Sequence, residues 1–291
     1  MRAPALQLLT VRTEQGPRAC AAWQGKYVDL NAADPALPNS VKGLLALGAE
    51  GLRRAGAALP GGGVTFDPAS AELMAPVPDP AKIVCLGLNY RDHAIESGMD
   101  IPAEPILFSK YATALIGHGA AILLPKESSE VDYEAEMVIV VGRGGRDIPV
   151  DRAMEHVGGY AVGHDVSARD WQLNKPGKQW MAGKTFDTFA PVGPAVVTAD
   201  EVPDPHALGI RLRLNGVTMQ DSSTSQLIFR VDATIAYLSK IFTLEPGDLI
   251  FTGTPPGVGM ARKPPVWLKP GDVAEVEIDG LGTLRNPVAA R

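Results

Sequence analysis

Short apolar runs dominate the chain, and most of them are typical of strands. The first 30 residues predict a three-stranded meander, in which LQLLTVRT, RACAAW and YVDL are separated by turns at EQGP and QGK. The leucines of VKGLLALGAEGLRRAG recur at helical spacing and stop at the glycine-rich LPGGGV. Three prolines in APVPDPAK, residues 75–82, indicate a linker. We therefore expect a small N-terminal β-rich domain over residues 1–75 and a second domain over residues 80–291.

The second domain is predicted to contain many short strands, such as KIVCLGL, PILFSK, AAILLP, APVGPAVVT, IRLRLNG and VAEVEI. Helices are predicted near residues 151–157, with Asp151 as the N-cap, and at residues 230–242, where apolar residues recur at helical spacing. This balance favours a β-rich α+β fold, a roll or sandwich of mixed strands, over a doubly wound α/β fold.

Two carboxylates interrupt the apolar run VDYEAEMVIV at residues 131–140. Side chains at positions i and i+2 point to the same face of a strand, so Glu134 and Glu136 share one side with Asp132. Carboxylates that lie so close repel each other unless one binds a proton or a cation lies between them. The run therefore indicates either an edge strand with an acidic outer face or a metal site.

Composition restricts the class of protein. The chain has 291 residues, of which 45% are hydrophobic and 21% charged, as in ordinary globular proteins. Its net charge of -6 argues against a nucleic-acid partner or an anionic membrane surface, which need clustered Lys and Arg. Cys20 and Cys85 form no metal or disulfide motif, no apolar run reaches membrane-spanning length, and ALQLLTV is a poor secretory signal. We therefore expect a cytoplasmic enzyme or binding protein.

Two local groups of side chains have the chemistry of a site. Asp165 closes an apolar strand in YAVGHDVSARDWQ, and with Glu134 and Glu136 it would form an oxygen-only site for Mg²⁺ or Mn²⁺. The alternative interpretation of Asp165 is an acid in a turn or at a helix N-cap. His93 and Glu96 lie one helical turn apart in NYRDHAIESG, a segment that could close over a site as a lid. The alternative interpretation of His93 and Glu96 is an exposed loop histidine beside an exposed glutamate.

A third group extends from Arg169 to Lys184. Lys184, in MAGKTFD, lies between a glycine and a short apolar strand, and we expect it to meet an anionic oxygen. Lys175 and Lys178 fit a solvated face, and we interpret His164 as a structural histidine. A metal, a His/Glu base and a lysine together supply what keto-acid chemistry needs, namely a polarised carbonyl, a mobile proton and a cation for an enolate.

The glycine clusters GRGGRD and TGTPPGVG raise the question of a nucleotide site. Neither matches GxxxxGK[ST], and neither follows the order strand, GxGxxG, helix that a dinucleotide site requires. We interpret both clusters as turns.

At these motifs the sequence resembles the fumarylacetoacetate hydrolase superfamily. The shared segments are GLNYRDH, DYEAE, GHDVSARDWQ, GKTFD and DLIFTGTPPGVG, in this order from about Lys82 to the C-terminus. HDVSARDWQ, GKQWMAGKTFDTF and RKPPVWLKPGD are most similar to the domain-containing members of the second type, the oxaloacetate keto–enol tautomerases. The resemblance implies a β-rich roll, a homodimer, and Mg²⁺ or Mn²⁺ as cofactor, with Ca²⁺ as a substitute.

The resemblance also implies roles for individual residues. The positions that match metal ligands are Glu134, Glu136 and Asp165. The positions that match a lid dyad acting as general base, and a lysine beside the reacting oxygen, are His93, Glu96 and Lys184. The positions that match substrate contacts, or lie in the same motif, are Arg169, Gln172 and Thr254.

One departure from the family pattern restricts the substrate. The founding hydrolase has a further metal-ligating aspartate seven residues before the lid histidine, where this chain has Leu86. Members with smaller substrates also lack it, so we expect a compact 2-oxo acid dianion and, first of all, oxaloacetate tautomerisation. The alternatives are oxaloacetate decarboxylation, hydrolysis of an acylpyruvate or fumarylpyruvate C–C bond, isomerisation of 2-hydroxyhepta-2,4-diene-1,7-dioate, and a non-catalytic protein that binds a metal or carboxylate.

Overall fold

The computed structural model describes residues 6–291, and strands outnumber helices in it. The strands are β1 (Gln7–Thr13), β2 (Gly16–Trp23), β3 (Lys26–Asp29), β4 (Thr65–Phe66), β5 (Leu73–Met74), β6 (Ile83–Gly87), β7 (Ile106–Ser109), β8 (Leu115–Ile116), β9 (Ile122–Leu124), β10 (Val131–Asp132), β11 (Ala135–Val141), β12 (Val157–His164), β13 (Ser167–Ala168), β14 (Ala190–Thr198), β15 (Gly209–Leu214), β16 (Val217–Ser223), β17 (Leu249–Phe251), β18 (Val273–Ile278) and β19 (Gly282–Ala290). The α-helices are α1 (Leu30–Ala33), α2 (Val41–Ala46), α3 (Gly48–Ala58), α4 (Arg91–Ser97), α5 (Arg169–Asn174), α6 (Trp180–Lys184) and α7 (Val231–Ile241). No helix within residues 6–291 has the length and apolar character needed to cross a membrane.

Most strands join one large mixed sheet. In the described part of the chain this sheet has 12 strands, and its main path runs β4-β3-β2-β1-β14-β12-β11-β17-β6-β7. Neighbours along this path are antiparallel except β17 and β6, which are parallel. A second sheet of five strands has the order β16-β15-β18-β19-β9, and β10 pairs with β13. The predicted α+β, β-rich roll with mixed β-sandwich packing is confirmed.

Strand β11 lies in the middle of the large sheet, between β12 and β17. Its alternate residues point to opposite faces, as in any strand. Met137 and Ile139 belong to the core shared with the five-stranded sheet, whereas Val138 and Val140 belong to the core on the other face. Every residue of β11 is buried, so the interpretation of this run as an edge strand with an acidic outer face is wrong.

The N-terminal segment forms the predicted three-stranded meander, β1 to β3. The single helix predicted after it is broken at Leu47, because Gly48, the first residue of α3, adopts a φ of 63° that the helix α2 cannot continue through. Strand β1 pairs with β14, with Leu8 opposite Val196, so the meander extends the large sheet. Leu8, Leu44 and Val196 also share one core. The division into domains 1–75 and 80–291 stays a prediction.

Of the two helices predicted in the second domain, one is confirmed and one is not. Helix α7 matches the prediction for residues 230–242. The segment near residues 151–157 is instead a 3₁₀ helix, Val150–His156, and its N-cap position is Pro149 rather than Asp151. Asp151 lies in the first turn. The segment ends where β12 begins at Val157, which leaves only two turns of tight helix between the proline and the strand.

Candidate active site

Three buried carboxylates lie where β10, β11 and β12 meet. Glu134 connects β10 to β11, Glu136 lies on β11, and Asp165 follows the last residue of β12. The register pairs Glu136 with Gly163, and the Asp165 N–H donates to the Glu134 carbonyl oxygen at 2.9 Å. Each of the three acids offers a carboxylate oxygen within 4.8 Å of the other two. The structure therefore brings together the three residues that the sequence predicts as metal ligands.

This cluster has the chemistry of a site for a hard cation. Burial, and after it the charges of Asp165 and Glu134, raise the pKa of Glu136 well above its ordinary value. The Gly253 N–H donates to Glu136 Oε2 at 2.7 Å. Three buried carboxylates this close repel one another unless a proton or cation lies among them. Because carboxylate oxygens form the whole set, the cluster fits a hard divalent cation better than zinc, which takes His and Cys.

Two buried cations contact the same cluster. Lys184, the last residue of α6, places Nζ 2.6 Å from Glu134 Oε2 and 2.8 Å from Asp165 Oδ2. Arg169 Nη2 lies 2.6 Å from Glu134 Oε1. Burial would raise the pKa of Glu134, but Lys184 and Arg169 outweigh burial and lower that pKa to about 2. Burial would likewise lower the pKa of Lys184, but Asp165 and Glu134 outweigh it and raise that pKa. Both partners are therefore charged at neutral pH.

A second buried lysine supports the cluster from the side of β7. Lys110 Nζ lies 2.6 Å from Asp165 Oδ1 and donates to the carbonyl oxygens of Val166 at 3.1 Å and Phe189 at 2.8 Å. It also donates to the carbonyl oxygen of Lys184. No motif in the sequence marks Lys110 as part of a site. Lys110 ends the apolar run PILFSK, and a lysine at the end of a strand is usually exposed to solvent. Its position in the sequence therefore does not indicate a buried contact with Asp165.

The predicted lid dyad forms on α4. His93 Nδ1 lies 3.2 Å from Glu96 Oε2, and the two side chains are 15% and 28% exposed. The helix ends at Gly98, which adopts a left-handed conformation. His93 is close enough to the carboxylate cluster that a proton on its ring would help Lys184 and Arg169 to lower the pKa of Glu134. The Gly257 N–H donates to both carboxylate oxygens of Glu96, at 3.0 and 3.1 Å.

The loop 252–260, which we name the glycine loop, contacts both α4 and the carboxylate cluster. Gly253 and Gly257 have φ values of 94° and 101°, so they are turn glycines as the sequence predicts. Their N–H groups also donate to Glu136 and Glu96, which the sequence did not indicate. A Cβ added at Gly257 would lie 2.2 Å from the carbonyl oxygen of Met219. The loop is therefore held in place by close backbone packing.

The residues that match substrate contacts are buried and hydrogen-bonded near the cluster. Arg169 Nη1 donates to Gln172 Oε1 at 2.9 Å. Thr254 Oγ1 accepts a hydrogen bond from Gln220 Nε2 at 2.8 Å, and Gln220 Oε1 accepts one from the Ala135 N–H at 2.8 Å. Gln220 lies on the second sheet, 85 residues from Ala135, so no local sequence signal could have found it. The role of Arg169, Gln172 and Thr254 in substrate contact stays a prediction.

Lys175 and Lys178 are solvated as predicted, and His164 is buried as a structural histidine would be, although its Nε2 has no hydrogen-bond partner among the described residues. His164 is buried at the end of β12, where burial and then Lys110 lower its pKa to about 3, so it is neutral at physiological pH. Lys175 and Lys178 are exposed. The Lys175 ammonium lies 4.4 Å from the centroid of the Trp171 ring.

Comparison with known proteins decides the family. Residues 82–289 match the family described as fumarylacetoacetate (FAA) hydrolase C-terminal. The chain belongs to this family. This fumarylacetoacetate hydrolase family member is 52% identical over 264 residues to a Xenopus laevis protein named oxaloacetate tautomerase fahd2, mitochondrial. The match covers 91% of this chain and 83% of that protein.

Two solved structures extend the comparison. A fumarylacetoacetate hydrolase from Exiguobacterium antarcticum is 33% identical, with a TM-score of 0.84 and coverage of 99% of this chain and 100% of that one. A fumarylpyruvate hydrolase from Pseudomonas aeruginosa, in complex with Mn²⁺ and pyruvate, is 38% identical, with a TM-score of 0.67 and coverage of 76% and 92%. The chain is an enzyme of this family, and the alternative of a non-catalytic binding protein is set aside.

The prediction of a cytoplasmic protein is wrong on this comparison, because the Xenopus relative is named as mitochondrial. The prediction rested on a weak secretory signal and on the absence of a membrane-spanning run. Neither observation bears on import into mitochondria, which depends on a different kind of targeting segment.

Proposed function

We propose that this enzyme is a divalent-metal-dependent oxaloacetate keto–enol tautomerase. The observation that carries the proposal is the buried cluster of Glu134, Glu136 and Asp165, with the Lys184 ammonium against two of its members. The name of the Xenopus relative, oxaloacetate tautomerase, supports oxaloacetate as the substrate.

The cofactor in this proposal is Mg²⁺ or Mn²⁺, with Ca²⁺ as a substitute, held by the three carboxylates. Such an ion, when bound, polarises a 2-oxo group and neutralises the adjacent carboxylate. The charge of the site supports it. Around the cluster, the buried acids Glu134, Asp165 and Asp132 are balanced by the buried cations Lys110, Arg169 and Lys184. Ionised Glu136 would add one negative charge for which the cluster has no further cation. A divalent cation would reverse the sign of the cluster and favour a dianionic substrate. The Mn²⁺ in the Pseudomonas hydrolase is consistent with this choice.

The proposed reaction requires one proton to move at each of two atoms. In the enol-to-keto direction the 2-hydroxyl oxygen first loses its proton to solvent water, which leaves the enolate, and C3 then gains a proton. We assign the proton at C3 to His93 Nε2, since the other ring nitrogen, Nδ1, lies against Glu96. Glu96, itself held by the Gly257 N–H, would orient the ring and stabilise its protonated form. The Lys184 ammonium would stabilise the negative charge on the enolate oxygen.

Substrate recognition is assigned to Arg169, Gln172 and Thr254. Their side chains supply one guanidinium, one amide and one hydroxyl, which suit a small dicarboxylate or 2-oxo acid. A homodimer with a small N-terminal domain over residues 1–75 and a catalytic domain over residues 80–291 completes the proposal, and the family resemblance supports it. Light scattering of the purified protein tests the dimer.

An ultraviolet assay tests the proposed reaction. The enol of oxaloacetate absorbs, so its loss is followed with and without Mg²⁺ or Mn²⁺ while pyruvate is measured in parallel. Faster loss of enol without pyruvate supports a tautomerase. Pyruvate release would indicate a decarboxylase instead. If neither signal responds to the metal, oxaloacetate is the wrong substrate, and acylpyruvates, fumarylpyruvate and 2-hydroxyhepta-2,4-diene-1,7-dioate are assayed next.

A further inference from the structure

Asp132 is a fully buried acid whose carboxylate accepts hydrogen bonds from two separate parts of the chain. On one side Arg169 Nε donates to Oδ2 at 2.8 Å. On the other side the N–H groups of Gly259 and Met260 donate to Oδ1 at 2.6 Å and to Oδ2 at 3.1 Å. The N–H of Tyr133 completes the set at 2.8 Å. Both oxygens of Asp132 are therefore occupied.

The first partner of Asp132, Arg169, also contacts the carboxylate cluster. Arg169 uses its remaining nitrogens on Glu134 Oε1, at 2.6 Å, and on Gln172 Oε1, at 2.9 Å. A guanidinium is planar, so fixing Nε against Asp132 fixes the direction in which the other two nitrogens point. Asp132 thus sets the orientation of the cation that holds Glu134.

The other two partners, Gly259 and Met260, connect Asp132 to α4, the helix that carries the proposed lid dyad. Gly259 and Met260 end the glycine loop, and Gly257 of the same loop donates to Glu96. The Tyr133 hydroxyl donates to the Gly257 carbonyl oxygen at 3.3 Å, so the residue next to Asp132 holds this loop as well. A Cβ added at Gly259 would lie 2.5 Å from Asp132 Oδ1, which means that the loop backbone packs directly on the carboxylate.

We propose that Asp132 is a positioning residue that couples the lid to the carboxylate cluster, through the glycine loop on one side and Arg169 on the other. The functional meaning of this coupling rests on the proposed function, in which the lid carries the base and the cluster carries the metal. The coupling itself is a property of the fold and can be measured without any reaction.

The carboxylate is needed at this position because every partner is a donor. An asparagine would have one acceptor oxygen, and its NH₂ group would face either Arg169 Nε or the N–H groups of Gly259 and Met260. Either Arg169 or the N–H groups of Gly259 and Met260 would then lose their acceptor. These buried donors would move away from residue 132, because an unpaired buried donor is costly.

Hydrogen–deuterium exchange of the full chain tests the coupling. We expect Asp132→Asn to speed amide exchange in residues 252–260 and also in residues 91–97, on the order of tenfold. Glu96→Gln should speed exchange in residues 91–97 and at the Gly257 amide that donates to Glu96, but not at the amides of Gly259 and Met260. The double variant should exchange in 91–97 no faster than the faster single variant, because both changes release the same contact. The proposal would be overturned if folded Asp132→Asn showed unchanged exchange in residues 91–97. It would also be overturned if the acceleration in the double variant equalled the product of the accelerations in the two single variants.

Asp29→Asn is the matched control. Asp29 is also a buried acid, which accepts from the Ala32 N–H at 3.0 Å and lies 3.7 Å from Arg18, but it lies in the N-terminal meander. The control should leave exchange in residues 91–97 unchanged. Equal acceleration of 91–97 in both variants would mean that loss of any buried acid loosens the lid, and it would overturn a specific role for Asp132.

A measurement on the unmodified protein covers the case in which Asp132→Asn does not fold. Mn²⁺ is added, its binding is measured by calorimetry, and we expect slower exchange in residues 131–136 and, through Asp132, in 257–260. Binding of Mn²⁺ with no change in 257–260 would contradict the coupling. Absence of Mn²⁺ binding would instead contradict the proposed cofactor, and exchange in Arg169→Lys, whose ammonium cannot reach both Asp132 and Glu134 as the guanidinium does, would then decide the coupling. We expect faster exchange in residues 257–260 of this variant, and unchanged exchange there would overturn the proposal.

Discussion

The Lys184 ammonium lies 2.6 Å from Glu134 Oε2, although 50 residues separate the two in sequence. Both side chains are almost completely buried. The lysine lies at the end of α6 and the glutamate between two strands of the core. The contact places a permanent positive charge beside the carboxylates that we assign to the metal, where an enolate oxygen would develop negative charge.

Replacing Lys184 tests this assignment. We expect Lys184→Met to lower kcat for enol loss by about 10²- to 10³-fold, because it removes a charge aimed at the developing oxyanion. Lys184→Arg keeps the charge in a different shape and should retain more activity. The exposed Lys178→Met serves as the control and should behave as wild type. Wild-type kcat in Lys184→Met would contradict the role of this lysine.

Changes in the lid dyad should separate catalysis from metal binding. We expect His93→Ala to lower kcat by about 10²- to 10⁴-fold, the usual contribution of a general base. Its Mn²⁺ affinity, measured by calorimetry, should stay close to that of wild type, since His93 is not among the grouped carboxylates. Equal turnover in variant and wild type would end the dyad hypothesis.

Lys110 should matter for stability. Lys110→Met leaves Asp165 with Lys184 as its one remaining buried cation and removes a buried donor from three carbonyl oxygens. Loss of one partner from a buried ion pair typically destabilises a protein by about 3–5 kcal/mol, which we expect to see in urea unfolding. Lys175→Met, at an exposed lysine, is the matched control. An equally small effect in both variants would show that Lys110 is not needed to hold the cluster.

His118 should make folding depend on pH. Its Nδ1 accepts a hydrogen bond from the Arg285 N–H at 3.2 Å, and burial, with a smaller contribution from the Arg285 charge, lowers its pKa from 6.5. His118 lines a surface cleft, and the charged groups that line this cleft with it are the paired side chains of Arg12 and Glu72. Because the unfolded chain binds the proton more readily, the stabilisation is present above pH 6.5 and is lost as the pH falls through the lower folded pKa.

The expected result is a smaller loss of stability in His118→Asn than in wild type between about pH 8 and about pH 5, measured by urea unfolding. Asparagine keeps an acceptor near the Nδ1 position but does not titrate. An identical pH dependence in the two proteins would contradict the assignment to His118.

Local patterns were enough to predict much of the fold. The meander β1 to β3, helix α7 and the shared face of Glu134 and Glu136 depend on short-range periodicity that each segment carries by itself. The approach of Asp165 to these two acids is a contact between different strands. The edge-strand alternative for β11 could not be excluded in this way, since β11 is buried on both faces by residues that lie far away in the sequence. Pairing of β1 with β14 is likewise a long-range contact with no local signal.

The supporting residues of the site were harder to predict than its acids. Lys110, Gln220 and Asp132 act through partners 34 to 128 residues away. A lysine, an amide or an aspartate in a strand has an ordinary exposed interpretation unless its partner is known. The glycine loop was predicted as a turn from its composition, but its N–H donors point to Glu136 and Glu96 only because of tertiary packing.

The dependence of enol loss on Mn²⁺ in wild type and Glu136→Gln tests the central claim most directly. The protein is first treated with a chelator, and Mn²⁺ is then titrated while the absorbance of enol oxaloacetate is followed. We expect a saturable increase in the wild-type rate and no increase in Glu136→Gln, whose amide removes one anionic ligand from the cluster. Full activity of the metal-stripped Glu136→Gln protein would contradict a metal-dependent tautomerase at this site.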